Sequence, residues 1–180
     1  MRLWYVRLRH DRRNEALLAA LADELSSAGI HLQDSTHYCP EALATVGSMT
    51  RREPSDAQMA DVRFGWPLVR QTAGLDIGQA IAVSQREVIA VEAIEGTDRM
   101  IARAGQLCPA GGWVLIKVAK AHQDMRFDVP TIGPRTIENL HAAGGVAIAL
   151  QACKVLIADR EATLALADRL GVAIIGLEGG

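Results

Sequence analysis

The sequence predicts an α/β domain built on a mixed sheet, and three observations carry that expectation. From Trp113 onward, apolar runs with β character alternate with helical segments in the order strand, helix, two strands, helix, strand. Ala80–Ser84 and Glu87–Ala93 flank Gln85-Arg86 as the arms of a hairpin do. Val146–Leu150 followed by Cys153–Ala158 looks like a second such pair, so antiparallel neighbours should join parallel ones. Finally, 180 residues that are 49% hydrophobic and 22% charged suffice for one ordinary core, or a small domain with an appendage.

Each element has its own signal. MRLWYVRLRHDRRNE, at the N-terminus, is basic but lacks a continuous apolar core and a small-residue cleavage site, so it does not read as a signal peptide. It reads as a charged lead-in to a helix, or as a segment resting on an anionic surface. Over residues 14–28, Leu17, Leu18, Leu21 and Leu25 share one helical face, and Gly29 stands where a C-terminal cap belongs. Ile30–Asp34 then reads as a short strand. Residues 35–54, with Pro40, Gly47 and Pro54 and little periodicity, read as a linker.

Ser55-Asp56-Ala57-Gln58 is a capping box, so a helix follows it. Pro67 should kink or divide that helix, because its ring clashes with the carbonyl four residues back. Gly74 should end it, and Trp66 is a core anchor. After the hairpin, Gly96 permits a tight backbone and Thr97 caps a helix running to about Ala104. Asp98 in its first turn complements the helix dipole, whereas the free N–H groups there favour a bound phosphate. Gly111-Gly112 leads into the strand Trp113–Val118. Pro134 opens a helix to Ala143 ended by Gly144-Gly145. Asp159 caps Arg160–Leu170, Gly171 closes it, and Val172–Gly176 is the last strand.

Composition excludes several classes. The formal net charge of −2 provides no basic field for nucleic acid, and 4% aromatic residues are too few for a base-stacking platform. Cys39, Cys108 and Cys153 are widely spaced, with no CxxC, which argues against a disulfide framework or structural zinc and for a reducing cytosol. No stretch approaches eighteen consecutive apolar residues. The P-loop, GxGxxG, GxSxG and HExxH patterns are absent.

Chemistry concentrates in KVAKAHQDMRFDVPTIG, Lys117–Gly133. Lys117, Lys120, His122, Asp124, Arg126 and Asp128 crowd a segment with no clear period behind an apolar strand. Asp124 and Asp128 are hard oxygen ligands of the kind Mg²⁺ takes together with water and substrate phosphate. Lys117, Lys120 and Arg126 can hold phosphate oxygens and neutralise charge on a phosphoryl group. A solvated loop whose charges pair with each other accounts for the same composition. His122, alone, is more often a surface or hydrogen-bonded residue than a general base.

LDIGQ (Leu75–Gln79), VEAIEGTD (Val91–Asp98), KVAK (Lys117–Lys120) and DMRFDVPTIGPRTI (Asp124–Ile137) together resemble the C-terminal domain of the LpxI-type UDP-2,3-diacylglucosamine pyrophosphatases. The ending ADREATLALADRLGVAIIGL is similar as well, and the likeness runs from about Ser55 to Leu177. It implies a mixed-sheet catalytic domain over residues 55–180, a linker over 35–54, and in residues 1–34 a helix-strand remnant of an α/β N-terminal domain. It also implies hydrolysis of UDP-2,3-diacylglucosamine to UMP and 2,3-diacylglucosamine 1-phosphate in lipid A synthesis, with Mg²⁺ as cofactor.

The family's essential aspartate falls on Asp128. The resemblance groups Asp128, Asp124, Lys117, Lys120 and Arg126 as catalytic residues. Gln79, Glu92, Glu95, Gly96, Thr97 and Thr131 contact substrate, and Asp128, Asp98 and Asp124 are the metal carboxylates. It further implies a cytoplasmic protein, peripheral to the inner face of the inner membrane, for which a separate N-terminal domain and a homo-oligomeric partner are open. Family members are longer and begin with a glycine-rich α/β domain not represented here. A non-catalytic module binding a nucleotide-sugar or lipid, or half of a split enzyme, is therefore the competing reading.

Overall fold

From Trp113 to Ile116 the chain is apolar at consecutive positions, the pattern of a strand covered on both faces, and Lys117 ends the strand. It lies inside the sheet that organises the fold. The computed structural model describes residues 14–120 and 123–179. The chain divides into two units, one comprising residues up to Cys39 with Asp124–Asp128, the other Pro40–Gln123 with Val129–Gly180. The basic segment 1–13 and His122 lie outside the described residues.

The larger unit holds a six-stranded sheet. Its strands are β1 (Gly47–Ser48), β2 (Ala80–Ser84), β3 (Glu87–Val91), β4 (Trp113–Lys117), β6 (Gly145–Gln151) and β8 (Ala173–Leu177), in the order β1-β8-β6-β4-β2-β3. β5 (Thr131–Ile132) and β7 (Leu156–Ile157) form a separate parallel pair. β6 is parallel to β4 and β8, while β2 is antiparallel to β3 and β4, and β1 to β8. The sheet is mixed, as expected. The carboxyl ends of β3, β4, β6 and β8 consequently share one edge.

Helices cover both faces. On one, α2 (Asp56–Gly74) packs Val62, Val69 and Ala73 against Ile81, Val83, Val114 and Ile116. On the other, α3 (Thr97–Leu107), α4 (Pro134–Ala142) and α5 (Arg160–Leu170) bury Met100, Ile101, Ile137, Leu140 and Leu166 against Trp113, Leu115, Ile148 and Leu150. Trp113 is fully buried and donates its indole N–H to the Ala143 carbonyl at 3.1 Å. That bond satisfies the one polar group such a ring brings inside.

Several local expectations hold for visible reasons. Ser55 and Gln58 form the reciprocal box at the start of α2, with Gln58 N–H donating to Ser55 Oγ at 3.3 Å and Ser55 N–H to Gln58 Oε1 at 2.9 Å. Pro134 stands in the first turn of α4. The Gln85-Arg86 turn lacks the favoured Asn-Gly, and both residues take left-handed φ values of 52° and 61°. The buried Asp61 carboxylate supports them, accepting from Gln85 N–H at 3.1 Å and Arg86 N–H at 2.6 Å.

Others are corrected. α2 runs unbroken through Pro67. Pro67 and Arg63 both lie on its exposed side, so the Arg63 carbonyl that the ring deprives of a donor is open to water. The inner side instead carries Gly65, where a Cβ would sit 2.4 Å from Ile116 Cδ1. Residues 153–158 are not a second hairpin arm; only Leu156–Ile157 is a strand, and it pairs with β5. Thr97 does not cap α3, because Gly96 takes the N-cap position. Asp159 is the N-cap of α5 but makes no side-chain capping bond.

In the smaller unit, α1 (Asn14–Ser27) buries Ala20 and Ala22 while Leu17 and Leu21 remain exposed. It ends in a Schellman motif, with Gly29 N–H donating to Ser26 O and Ile30 N–H to Leu25 O. Ile30–Asp34 is not a strand; its residues have no ladder partner, and Ile30 is exposed. The expected linker contains short 3-10 turns at Ser35–Tyr38 and Pro40–Ala42 and then supplies β1. Among the described residues no helix is long and apolar enough to cross a membrane.

Candidate active site

In open α/β sheets, ligands collect outside the carboxyl ends of the strands. Here that edge carries an unusual buried group. Lys117 pairs with Ala80 in the β2–β4 register, and Glu92 N–H donates to Ala80 O at 2.8 Å, so Lys117 and Glu92 flank a small residue on one face of the sheet. Both are buried, at 4% and 6% relative exposure. Thr97 joins them: its hydroxyl donates to Glu92 Oε1 at 2.7 Å and accepts from Lys117 Nζ at 2.8 Å. Two opposite charges bridged by a hydroxyl can be kept inside where either alone would be costly. Glu92 Oε2 is buried with no hydrogen-bond partner among the described residues, and so is Gln79 Oε1.

Above this group, the first turns of α3 and α4 line one cavity of about 710 Å³. Its wall includes Glu95, Gly96, Thr97, Asp98 and Thr131, with Gly133, Arg135 and Thr136. Both helices begin at a glycine without a side-chain cap. Two helix starts facing one cavity offer backbone N–H donors and positive dipole ends to an anion. Asp98 is held by Arg135 at 2.8 Å. Glu95 pairs with Arg103 and accepts from Ala93 N–H at 3.1 Å; the Arg103 hydrogen bond is the chief reason its carboxyl lies below the ordinary carboxylate range.

In the smaller unit, Asp124–Asp128 is a single turn built on Asp124. Its carbonyl accepts from Asp128 N–H at 3.2 Å, and its Oδ1 accepts from Arg126 N–H at 3.1 Å. The Arg126 guanidinium grips the same carboxylate with two arms, Nε to Oδ1 at 2.9 Å and Nη2 to Oδ2 at 2.6 Å. Asp128 itself is exposed.

A family model of the LpxI C-terminal domain matches residues 45–175. The chain belongs to this family. UDP-2,3-diacylglucosamine pyrophosphatase LpxI of Caulobacter vibrioides is 35% identical to it over 172 residues, 92% of this chain and 61% of that protein. The chain thus spans 61% of the length of the curated relative it matches. The LpxI family is the one its motifs indicated, and the mixed α/β fold is the class expected.

The LpxI motif residues are distributed as follows. Glu92, Thr97 and Lys117 form one hydrogen-bonded group, and Glu95, Gly96, Thr97, Asp98 and Thr131 share one cavity. Gln79 precedes β2, at the same strand edge. Lys120 pairs with Asp76 at 2.7 Å and lines a second cavity. Asp124, Arg126 and Asp128 belong to the smaller unit. Among the described residues no three His, Cys, Asp or Glu side chains gather closely enough to hold a metal by themselves. Sequence reasoning missed Arg135 and Thr136 as cavity wall, although Gly133-Pro134-Arg135-Thr136 was legible as a helix start with a positive end.

Asp124 yields a direct pH prediction. Its pKa is lowered, first by the Arg126 side-chain hydrogen bond and further by the Arg126 backbone N–H, and Asp23 adds to the field that raises Arg126. A depressed carboxyl contributes stability above its unfolded value of about 3.9 and loses that contribution as pH falls through the folded value. Arg126→Ala should therefore move the Asp124 carboxyl titration upward toward the unfolded value. Carbon-13 NMR of the side-chain carboxyls between pH 2 and 6 reads this shift; an unchanged midpoint would refute the pairing.

Proposed function

We propose that the chain hydrolyses the pyrophosphate of UDP-2,3-diacylglucosamine, releasing UMP and 2,3-diacylglucosamine 1-phosphate (lipid X) in lipid A biosynthesis. The observation that carries the reading is the cavity walled by two glycine-started helix N-termini, with the Lys117–Thr97–Glu92 group at its edge. Phosphoryl transfer asks a protein mainly to position the phosphates and neutralise their charge. Water adds to one phosphorus, the bridging P–O bond breaks, and the departing phosphate keeps the bridging oxygen. In this reading helix N–H groups, Lys117 and Arg135 receive phosphate oxygens, and Thr97 and Thr131 orient them. Asp128 orients the attacking water.

Mg²⁺ belongs to the same proposal. It needs only one or two carboxylates when waters and substrate phosphates complete its shell, so it does not call for a three-carboxylate cluster, and none is found among the described residues. Asp128 would hold it, with Asp124 if its arginine partner releases it, and it would supply charge neutralisation on the diphosphate. The lipid substrate would have the enzyme in the cytoplasm, visiting the inner face of the inner membrane peripherally.

UMP release from UDP-2,3-diacylglucosamine by this chain, measured with Mg²⁺ and with chelator, tests the reading. Magnesium-dependent release is expected. Absence of release from folded protein overturns it in favour of a binding module or a half-enzyme. Restoration of turnover by adding the N-terminal part of the Caulobacter relative would identify the half-enzyme.

A further inference from the structure

The carboxyl edge of the sheet carries a second cavity, on the face covered by α2. It measures about 480 Å³ and is walled by Arg70 and Gln71 of α2, Lys120 and Gln123 after β4, Gln151 at the end of β6, and Lys154 in the turn beyond. Pro67, one helical turn before Arg70 and Gln71, completes the α2 side. The sequence had assigned Arg70 and Lys154 no task.

The lining has one chemical character. Three cations and no acidic residue form the wall. Asp76 balances Lys120 at 2.7 Å, but Arg70 and Lys154 have no counter-ion among the described residues. Two of the three glutamine carbonyls are committed elsewhere. Gln151 Oε1 accepts from Ala119 N–H at 2.9 Å and Gln123 Oε1 from Lys120 N–H at 3.3 Å. These bonds fix the loop after β4 and leave the Gln151 amide to the cavity as a donor. A pocket rich in cationic and N–H donors attracts an anion with several acceptor oxygens. Its volume falls within the range of small-ligand sites, larger than inorganic phosphate requires.

We infer that this α2-side pocket is a second anion subsite, taking a phosphate monoester through Arg70, Lys154 and Lys120. It is built from different helices than the cavity of α3 and α4, on the other face of the same sheet. A nucleoside monophosphate and a sugar 1-phosphate both carry the recognised group. The inference does not require turnover by this chain.

Calorimetric titration of the full chain with chelator present tests it, using UMP, glucosamine 1-phosphate, inorganic phosphate and uridine as probes. At least one phosphate-bearing probe should bind, and uridine, which lacks the anion, should not. Arg70→Gln combined with Lys154→Gln removes two charge-assisted partners and should weaken binding by about tenfold or more. Both side chains are exposed, so the melting temperature should hold. Arg135→Gln, in the other cavity, should leave this binding intact. Preference for UMP or for the sugar phosphate identifies the source of the ligand. No binding by any phosphate probe, undiminished binding in the double variant, or loss only in Arg135→Gln would overturn the inference. Because chelator suppresses Mg²⁺-dependent hydrolysis, failure here leaves the hydrolase reading standing, and failure of hydrolysis leaves this binding measurable.

Discussion

Asp128→Asn should lower Mg²⁺-dependent UMP release by about 10³-fold, in the range that positioned acid–base and electrostatic groups supply, while leaving the fold intact. The substitution keeps size and shape and removes one negative charge. Asp128 is exposed and the turn is built on Asp124, whose carbonyl accepts the Asp128 N–H whichever side chain stands there. A surface change of this kind shifts stability by about 0.5 kcal/mol or less. The loss should therefore appear in kcat, with the thermal midpoint unmoved. An effect of under about tenfold would remove Asp128 from the proposed chemistry.

Asp124→Asn separates the two aspartates. Asp124 holds its own turn through Arg126 Nε and Nη2 and the Arg126 N–H, so its loss should disturb the presentation of Asp128. Composition and spacing did not distinguish the two residues, carboxylates four apart in a charged loop; only the family resemblance singled out Asp128. Their difference lies in the bidentate guanidinium, which spacing alone does not reveal.

Other elements show where sequence reading succeeds and where it stops. The layered α/β order was legible because burial on both faces makes β4 apolar from Trp113 to Ile116 and amphipathic helices announce themselves by period. Local caps at Ser55 and Pro134 were legible because their chemistry is contiguous. What escaped depends on partners far away in the chain. Asp61 supports the Gln85-Arg86 turn from 24 residues upstream, and β7 pairs with β5 rather than with its sequence neighbour. Thr97 was expected to cap its helix as its position invites. Its hydroxyl is instead drawn between Glu92 and Lys117, an arrangement that depends on β2 bringing β3 and β4 to either side of Ala80.

That buried group yields the second large effect. Lys117→Met should both destabilise the domain and suppress hydrolysis, and a second substitution should separate the two. Without the ammonium, the Thr97 hydroxyl and the Glu92 carboxylate, 6% exposed, lose the cation that the hydroxyl links to the acid. Leaving a buried polar or charged group short of its partner costs about 1–3 kcal/mol or more. Adding Glu92→Gln removes the stranded charge, so the Lys117→Met/Glu92→Gln pair should recover much of that loss in urea denaturation, a coupling that a double-mutant cycle measures directly. Hydrolysis should stay low in the double variant, by about 10²-fold or more, because the ammonium that receives phosphate oxygens beside Thr97 is gone. Recovery of stability without recovery of kcat identifies Lys117 as acting on substrate. Recovery of both would make the lysine a structural counter-charge, and the helix N-termini and Arg135 would then carry the charge neutralisation.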